Sequence, residues 1–273
     1  MSGRPLEGKV SLVTGASSGM GRATALALAK EGSKVVCCDL KPTANPKGYE
    51  ADIDKTTVEL ITRNGGEAIF QQVDISNFSQ VEEAFEKTIT HFGRLDILVN
   101  CAGFWAPFRH FVDEDDELWS KMLAVNSAGT SKMSRLAIRQ FLKQEVDPTW
   151  GSRGRIVNIS SCAAQIAYAG EVAYSATKAS INHMTRAAAI DHAKDSININ
   201  CIAPGVVATG MARGNLEDKG ISQVMKAATP WPRLGNADDI AGAVLFFCLP
   251  PSQWITGQVL AVDGGMTLGV PAN

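Results

Sequence analysis

The span from Lys9 to Lys30 leaves this chain little freedom in how it folds locally. Lys9-Val10-Ser11-Leu12-Val13 reads as a short buried strand, and Thr14-Gly15-Ala16-Ser17-Ser18-Gly19-Met20-Gly21 follows directly. Arg22 to Lys30 is then rich in alanine and leucine, which is helical composition. The order is strand, glycine-rich turn, helix. Such a turn brings backbone N–H groups and the positive end of the helix dipole to a pyrophosphate, while the missing Cβ atoms at Gly15, Gly19 and Gly21 allow close approach. A tight strand-to-helix connection without a ligand has the same composition. The spacing is G-x-x-x-G-x-G, whereas the commonest dinucleotide fingerprint is G-x-G-x-x-G.

Strand-like and helical stretches alternate along the rest of the chain, which predicts a parallel sheet with helices on both faces, an α/β fold. The strands fall near Val10–Val13, Lys34–Asp39, Ala68–Asp74, Ile97–Asn100, Arg155–Ser160, Ile197–Ile202 and Gln258–Val262. Lys41 to Gly48 is a proline-broken loop, and Asp147 to Ser152 is another. With 273 residues, 45% hydrophobic and 20% charged, the chain is long enough for one domain over 1–273 with a substantial core. A net charge of −2 without a basic run argues against nucleic acid or an anionic membrane as partner. Met1 to Glu7 lacks an apolar signal core and no stretch has the length of a membrane span, so a cytoplasmic location is expected. The six cysteines and four histidines show no metal-ligand spacing, so no metal is expected. Cys37 and Cys38 must face opposite sides of their strand, and Cys101 and Cys162 read as packing residues.

Chemistry enters with Tyr174. Lys178 follows it by four residues and Ser161 precedes it by thirteen. At helical spacing Tyr174 and Lys178 share a face. A unit charge about 5 Å from the phenol at an effective dielectric of ~20 is worth ~3 kcal/mol, roughly two pKa units towards the ionised form. Tyr49 and Tyr168 have Ile53 and Val172 at that position, so Tyr174 alone has the arrangement. Taken by itself, such a pair also occurs as a solvated surface contact.

Together these residues resemble the short-chain dehydrogenase/reductase family, whose pattern T-G-x-x-x-G-x-G is matched from Thr14 to Gly21. Asn100-Cys101-Ala102-Gly103 resembles its N-N-A-G element with Cys in second place, and Tyr174-Ser175-Ala176-Thr177-Lys178 its Y-x-x-x-K. Pro204 to Thr209 resembles P-G-x-x-x-T, and Val262-Asp263-Gly264-Gly265 the C-terminal signature. The resemblance implies a Rossmann-type doubly wound sheet of about seven strands in the order 3-2-1-4-5-6-7. It also implies a hydride transfer in which Tyr174 is the acid–base group, Ser161 holds the substrate oxygen, and Lys178 serves both the phenol and the nicotinamide ribose. Asn126 would hold a water linking Lys178 to solvent. Asn126-Ser127-Ala128-Gly129 interrupts an otherwise helical Leu118 to Leu142, which suits a local irregularity that frees a carbonyl, although a solvent-facing polar residue would read the same way.

The cofactor expected is NAD. Asp39 ends the second strand eighteen residues after Gly21, near the ~20-residue distance of an acid that binds the adenosine ribose diol. A 2′-phosphate about 4 Å from that carboxylate would be repelled by ~4 kcal/mol per unit charge product at a dielectric of ~20, unless Lys41 compensates. A strand-ending Asp that caps a turn is the alternative. By resemblance Asp74 and Ile75 lie near the adenine, Asn100, Ala102 and Gly103 line the cofactor, and Val207 and Thr209 meet the carboxamide. Ser17, Ser18 and Met20 of the turn, with Pro204 and Gly205, complete the expected contacts.

By resemblance the substrate pocket draws on segments that hold Phe104, Trp105, Phe108, Ile166, Tyr168, Val206, Met211 and Trp231. That composition suits a hydrophobic alcohol or ketone, though the aromatics would equally suit a subunit interface. Within the substrate loop near 209–231, Gly210 to Gly220 reads as a mobile lid or an ordinary surface loop. A 3-oxoacyl thioester reductase and a non-catalytic nucleotide-binding protein are the other functions considered. The helices Leu118–Leu142 and Glu171–Ala193 resemble those through which family members pair, implying a homodimer or homotetramer.

Overall fold

β1 (Val10–Thr14) is buried at every position, because it lies inside the sheet with β2 (Lys34–Asp39) on one side and β4 (Ile97–Asn100) on the other. In this computed structural model, which describes residues 3–269, β3 (Ala68–Gln72), β5 (Gly154–Ile159), β6 (Ile197–Pro204) and β7 (Val259–Val262) complete one parallel sheet. Its strand order is 3-2-1-4-5-6-7, the order the family resemblance implies. Residues 1, 2 and 270–273 of the expected domain, and with them the first two residues of the Met1–Glu7 stretch, lie outside the described residues.

Successive side chains of a strand point to opposite faces, so the apolar runs feed two cores. Val13, Val35, Cys37 and Val157 meet α1 (Gly19–Lys30) and α9 (Ala237–Cys248) through Leu28, Val244 and Phe247. Leu12, Val36, Cys38 and Ile156 pack on the other face against Val81 and Phe85 of α3 (Phe78–Phe92) and Met133 and Phe141 of α5 (Thr130–Phe141). Cys37 and Cys38 thus divide between the two cores as the strand geometry requires. Burial pushes the Cys37 thiol up to about 12, and Cys38 further in the same direction, which leaves both unreactive.

α2 (Thr57–Arg63) crosses from β2 to β3, and β3 stops at Gln72, short of the expected Asp74. The expected long helix from Leu118 is divided. α4 (Asp116–Met122) passes into a π-helical turn over Leu123–Gly129 before α5 begins, so the irregularity anticipated at Asn126 is present. α6 (Val172–His192) runs from Tyr174 past Lys178 across the sheet. The expected loose segment after Gly210 is instead two short helices, α7 (Arg213–Glu217) and α8 (Lys219–Ala227), the second begun by an Asp218 carboxylate that accepts from Ile221 N at 2.9 Å. No described helix is long and apolar enough to cross a membrane.

Candidate active site

The sheet order reverses between β1 and β4, and the crevice beyond the carboxyl ends of those strands is where an open α/β sheet receives ligands. A cleft of about 810 Å³ opens there. Gly15, Ser18, Gly19, Met20 and Gly21 line it from the glycine turn. Asp39, Asp74 and Ile75 face it from the ends of β2 and β3, and Ala102, Gly103 and Thr209 close it.

The glycines of the turn serve the protein's own packing as well as a ligand. A Cβ at Gly21 would stand 2.1 Å from the Gly15 carbonyl oxygen, and one at Gly15, where φ is +68°, would stand 3.0 Å from the Ala102 backbone. Gly19 N–H, one of the backbone donors of the glycine turn, is met by the Glu50 carboxylate. An anionic oxygen is therefore what this helix terminus attracts, and the donors fit a phosphate group. The second oxygen of Glu50, Oε2, is buried without a hydrogen-bond partner.

Asp39 accepts from Ser17 N at 3.0 Å and from Leu40 N at 2.7 Å, while Ser17 Oγ donates to the Lys41 carbonyl at 2.6 Å. Ser17 is 3% exposed and absent from the cleft wall, so it positions Asp39 rather than lining the cleft. Burial raises the Asp39 pKa, opposed by these hydrogen bonds. Asn100 departs from expectation too. Its Nδ2 donates to Asn158 Oδ1 at 2.8 Å and Ser134 Oγ at 3.0 Å, away from the cleft, as a buried strut between β4, β5 and α5.

A second cavity, of about 640 Å³, adjoins the first through the shared wall residues Met20, Thr209 and Met211. Ser161, Tyr174, Pro204, Gly205 and Val207 line it. Trp105, Phe108, Tyr168, Val206 and Met211 supply the aromatic and apolar wall that was anticipated. Phe104 lines the first cleft instead, and Ile166 and Trp231 line neither. Sequence reasoning missed Ile221, Val224 and Met225 of α8 and Met266. Their signal was present: Ile221, Val224, Met225 and Ala228 recur at the spacing of one helix face.

Tyr174 and Lys178 differ electrostatically from what their spacing suggested. Lys178 Nζ donates to the Ile159 carbonyl at 3.0 Å and lies 5.6 Å from the centre of the Tyr174 ring. Burial dominates both groups. It raises the Tyr174 pKa well above that of a free phenol, Glu171 adds to the rise, and a hydrogen bond with Ser161 opposes it. Burial likewise pushes Lys178 down from 10.5 to about 8. The expected lowering of the phenol by its lysine omitted this desolvation, and the protein's own groups keep Tyr174 protonated at neutral pH.

Asn126 is fully buried in the π-helical turn. Its Oδ1 accepts from Phe104 N at 2.7 Å, and its Nδ2 donates to the Phe104 carbonyl at 2.9 Å and to Thr177 Oγ1 at 3.1 Å. It therefore ties the segment after Gly103 to α6. A Cβ on Gly103 would come within 3.4 Å of both Asn126 Oδ1 and Lys178 Nζ, so the lysine amine is buried directly behind Gly103, which lines the cleft.

Two glutamates that sequence reasoning passed over stand at the start of α6. Glu114 accepts from Ala173 N at 3.0 Å, and Glu171, 8% exposed and lining the second cavity, accepts from Trp105 Nε1 at 3.2 Å. Burial, with the charge of Glu114 adding to it, pushes Glu171 up to about 7 against the Trp105 hydrogen bond. The proline-broken loop expected over Lys41–Gly48 is part of a longer segment, Leu40–Thr56, that forms a strap over the glycine turn. Asn45 N donates to Ser18 Oγ at 3.0 Å, and Arg22 donates to the carbonyls of Asp52 and Lys55. From the far side Arg213 of α7 donates to the carbonyls of Lys47 and Gly48 and stacks 4.1 Å from the Tyr49 ring centre.

Comparison with known proteins agrees with this geometry. A family model described as enoyl-(acyl carrier protein) reductase matches residues 15–267. The chain is 35% identical to a 3-oxoacyl-[acyl-carrier-protein] reductase of Synechocystis over 96% of this chain and 98% of that one. It is 31% identical to a short chain dehydrogenase/reductase of Aspergillus oryzae over 96% of each. A crystal structure of a putative 2-deoxy-d-gluconate 3-dehydrogenase from Agrobacterium tumefaciens with bound NADP superposes with a TM-score of 0.84 at 27% identity, covering 98% of this chain and 100% of that one. The chain belongs to the short-chain dehydrogenase/reductase family and is an oxidoreductase.

Proposed function

We propose that this oxidoreductase transfers a hydride between NAD(H) and a hydrophobic secondary alcohol or ketone. One observation carries the reading. Tyr174 lines a largely apolar cavity that adjoins the cleft at the glycine turn through Met20, Thr209 and Met211, and Lys178 lies one helical turn on, directly behind Gly103 of the cleft wall. A nicotinamide ring bound at that junction would supply the hydride acceptor and, when oxidised, a positive charge that favours the phenolate. Ser161 holds the substrate oxygen, and Tyr174 gives its proton to that oxygen in reduction and takes one from it in oxidation. Lys178, with a pKa of about 8, is poised to pass the proton on near neutrality. The Asn126 side chain is committed to Phe104 and Thr177, so in this reading a relay from Lys178 passes the Asn126 backbone. Asp39 supports NAD through the charge repulsion of a 2′-phosphate. The Agrobacterium structure carries NADP, so the preference rests on Asp39 of this chain and not on its relatives.

The Synechocystis relative favours a second reading, reduction of a 3-oxoacyl thioester. Faster reduction of acetoacetyl thioester with NADPH than of hydrophobic ketones with NADH would decide for it. The first reading is tested by following NADH absorbance over a panel of hydrophobic alcohols and ketones, then repeating the best with Tyr174→Phe. Turnover should fall about 10²–10⁴-fold with NAD affinity nearly unchanged. More than about a tenth of the activity remaining refutes Tyr174 as the acid–base group.

A further inference from the structure

Glu171 has no structural task that explains its burial. It stands at the N-cap position of α6, yet its side chain caps nothing, and Glu114 takes the Ala173 N–H instead. Its one side-chain hydrogen bond comes from Trp105 Nε1 at 3.2 Å, and among the described residues its other oxygen has no hydrogen-bond partner while keeping some exposure. The cavity it faces is walled mainly by apolar side chains such as Phe108, Ile221, Val224, Met225 and Met266, with Asn215 and Asp218 at the α7–α8 side and no lysine or arginine. A carboxyl group in such a place loses several kcal/mol of hydration unless a hydrogen-bond donor answers it.

We propose that Glu171 is a second recognition point in the substrate cavity, accepting a hydrogen bond from a hydroxyl other than the one oxidised. The preferred substrates are then hydrophobic diols and hydroxyketones rather than simple alcohols. This rests on the cavity being the substrate site, as proposed above. Glu171 and Tyr174 stand three residues apart where α6 begins and both line this cavity, so one compact ring system reaches both. A hydroxyl is favoured over an ammonium group because the apolar walls penalise a buried charge. The carboxyl group itself, pushed up to about 7, is held partly neutral at physiological pH.

The test uses NAD-loaded protein and three probes of one size: decalol, decalindiols bearing the second hydroxyl on either ring, and an aminodecalol. Calorimetric titration measures binding without requiring turnover, and NADH absorbance measures turnover separately. At least one decalindiol should bind and react about tenfold or more better than decalol. Glu171→Leu should bring that ratio to about one. Glu171→Gln, which still accepts from Trp105 and from a hydroxyl, should keep part of it and controls for misfolding. A diol no better than decalol, a preference that survives Glu171→Leu, or an aminodecalol that outbinds the diols would each overturn the proposal. The same titrations with Tyr174→Phe separate the two readings. Diol preference in binding without any turnover by the unmodified protein would condemn the catalytic reading alone, whereas decalol turnover without diol preference would condemn the role of Glu171 alone.

Discussion

Lys178→Met should make the protein more stable at neutral pH while removing its activity, and the gain should vanish in alkali. Burial pushes the amine from 10.5 down to about 8. Between those values the unfolded chain binds a proton that the folded protein has released, so stability rises with pH across that window and is lowest below it. At pH 7 the native lysine costs ~3 kcal/mol relative to one in water, and at pH 10 under ~1 kcal/mol, from a shift of about 2.5 units at 1.36 kcal/mol each. Replacement by methionine, an apolar side chain of similar length, removes that cost. It also leaves the Ile159 carbonyl without the Nζ donor at 3.0 Å, an offset of ~1 kcal/mol. The net gain is then about 2 kcal/mol at pH 7 and close to zero at pH 10. Urea unfolding of both proteins at the two pH values gives the difference, and other groups that titrate in alkali cancel between them. A difference independent of pH, or a variant less stable at pH 7, would refute the desolvation argument.

Three further outcomes follow from named contacts. Asp39→Ser should narrow the preference for NAD over NADP, measured by fluorescence titration of both cofactors, and equal affinities in the unmodified protein would remove the basis for the NAD assignment. Arg155 is 1% exposed and gives its guanidinium N–H groups to the carbonyls of Phe247, Leu249 and Trp150, binding the end of α9 to β5. Arg155→Met should therefore cost about 3 kcal/mol, a fall in Tm of roughly 6–10 °C by scanning calorimetry, and an unchanged Tm would show that these carbonyls find other donors. Light scattering should give a homodimer or homotetramer, and a monomer at micromolar concentration would contradict the pairing inferred for the helices around Asn126 and Tyr174.

Strands were legible because a parallel sheet buried on both faces writes itself as short apolar runs, as in Val10 to Val13 and Ile97 to Val99. That the glycine turn and Asp39 would meet at one cleft and Ser161 and Tyr174 at a neighbouring cavity was legible because the family resemblance fixes residue type at set spacing. The apolar face of α8 was written in its spacing and passed over, whereas the rest of what escaped was recorded in no pattern. The strap from Leu40 to Thr56 is held largely through backbone carbonyls that Arg22 and Arg213 reach, and any residue offers a carbonyl. The raised Tyr174 and lowered Lys178 pKa values come from burial, which spacing along one helix does not report. Glu171 gives no sign in the sequence that Glu114, 57 residues earlier, takes the Ala173 N–H in its place.

The π-helical turn at Leu123–Gly129 is in effect one residue more than a straight helix would need between Asp116 and Phe141. Each residue of an α-helix advances about 100° around the axis, so that surplus sets the phase of everything downstream. Removing one residue from the turn would yield a more regular helix and a worse protein. Met133, Ala137 and Phe141, which fill the core beneath the sheet, would rotate by about a quarter turn towards solvent. Gly129, whose missing Cβ leaves room for Ile75 at 2.9 Å, would surrender that place to a bulkier neighbour. Length here is a fixed parameter: substitutions within the turn are open to selection, whereas deletions and insertions are closed to it.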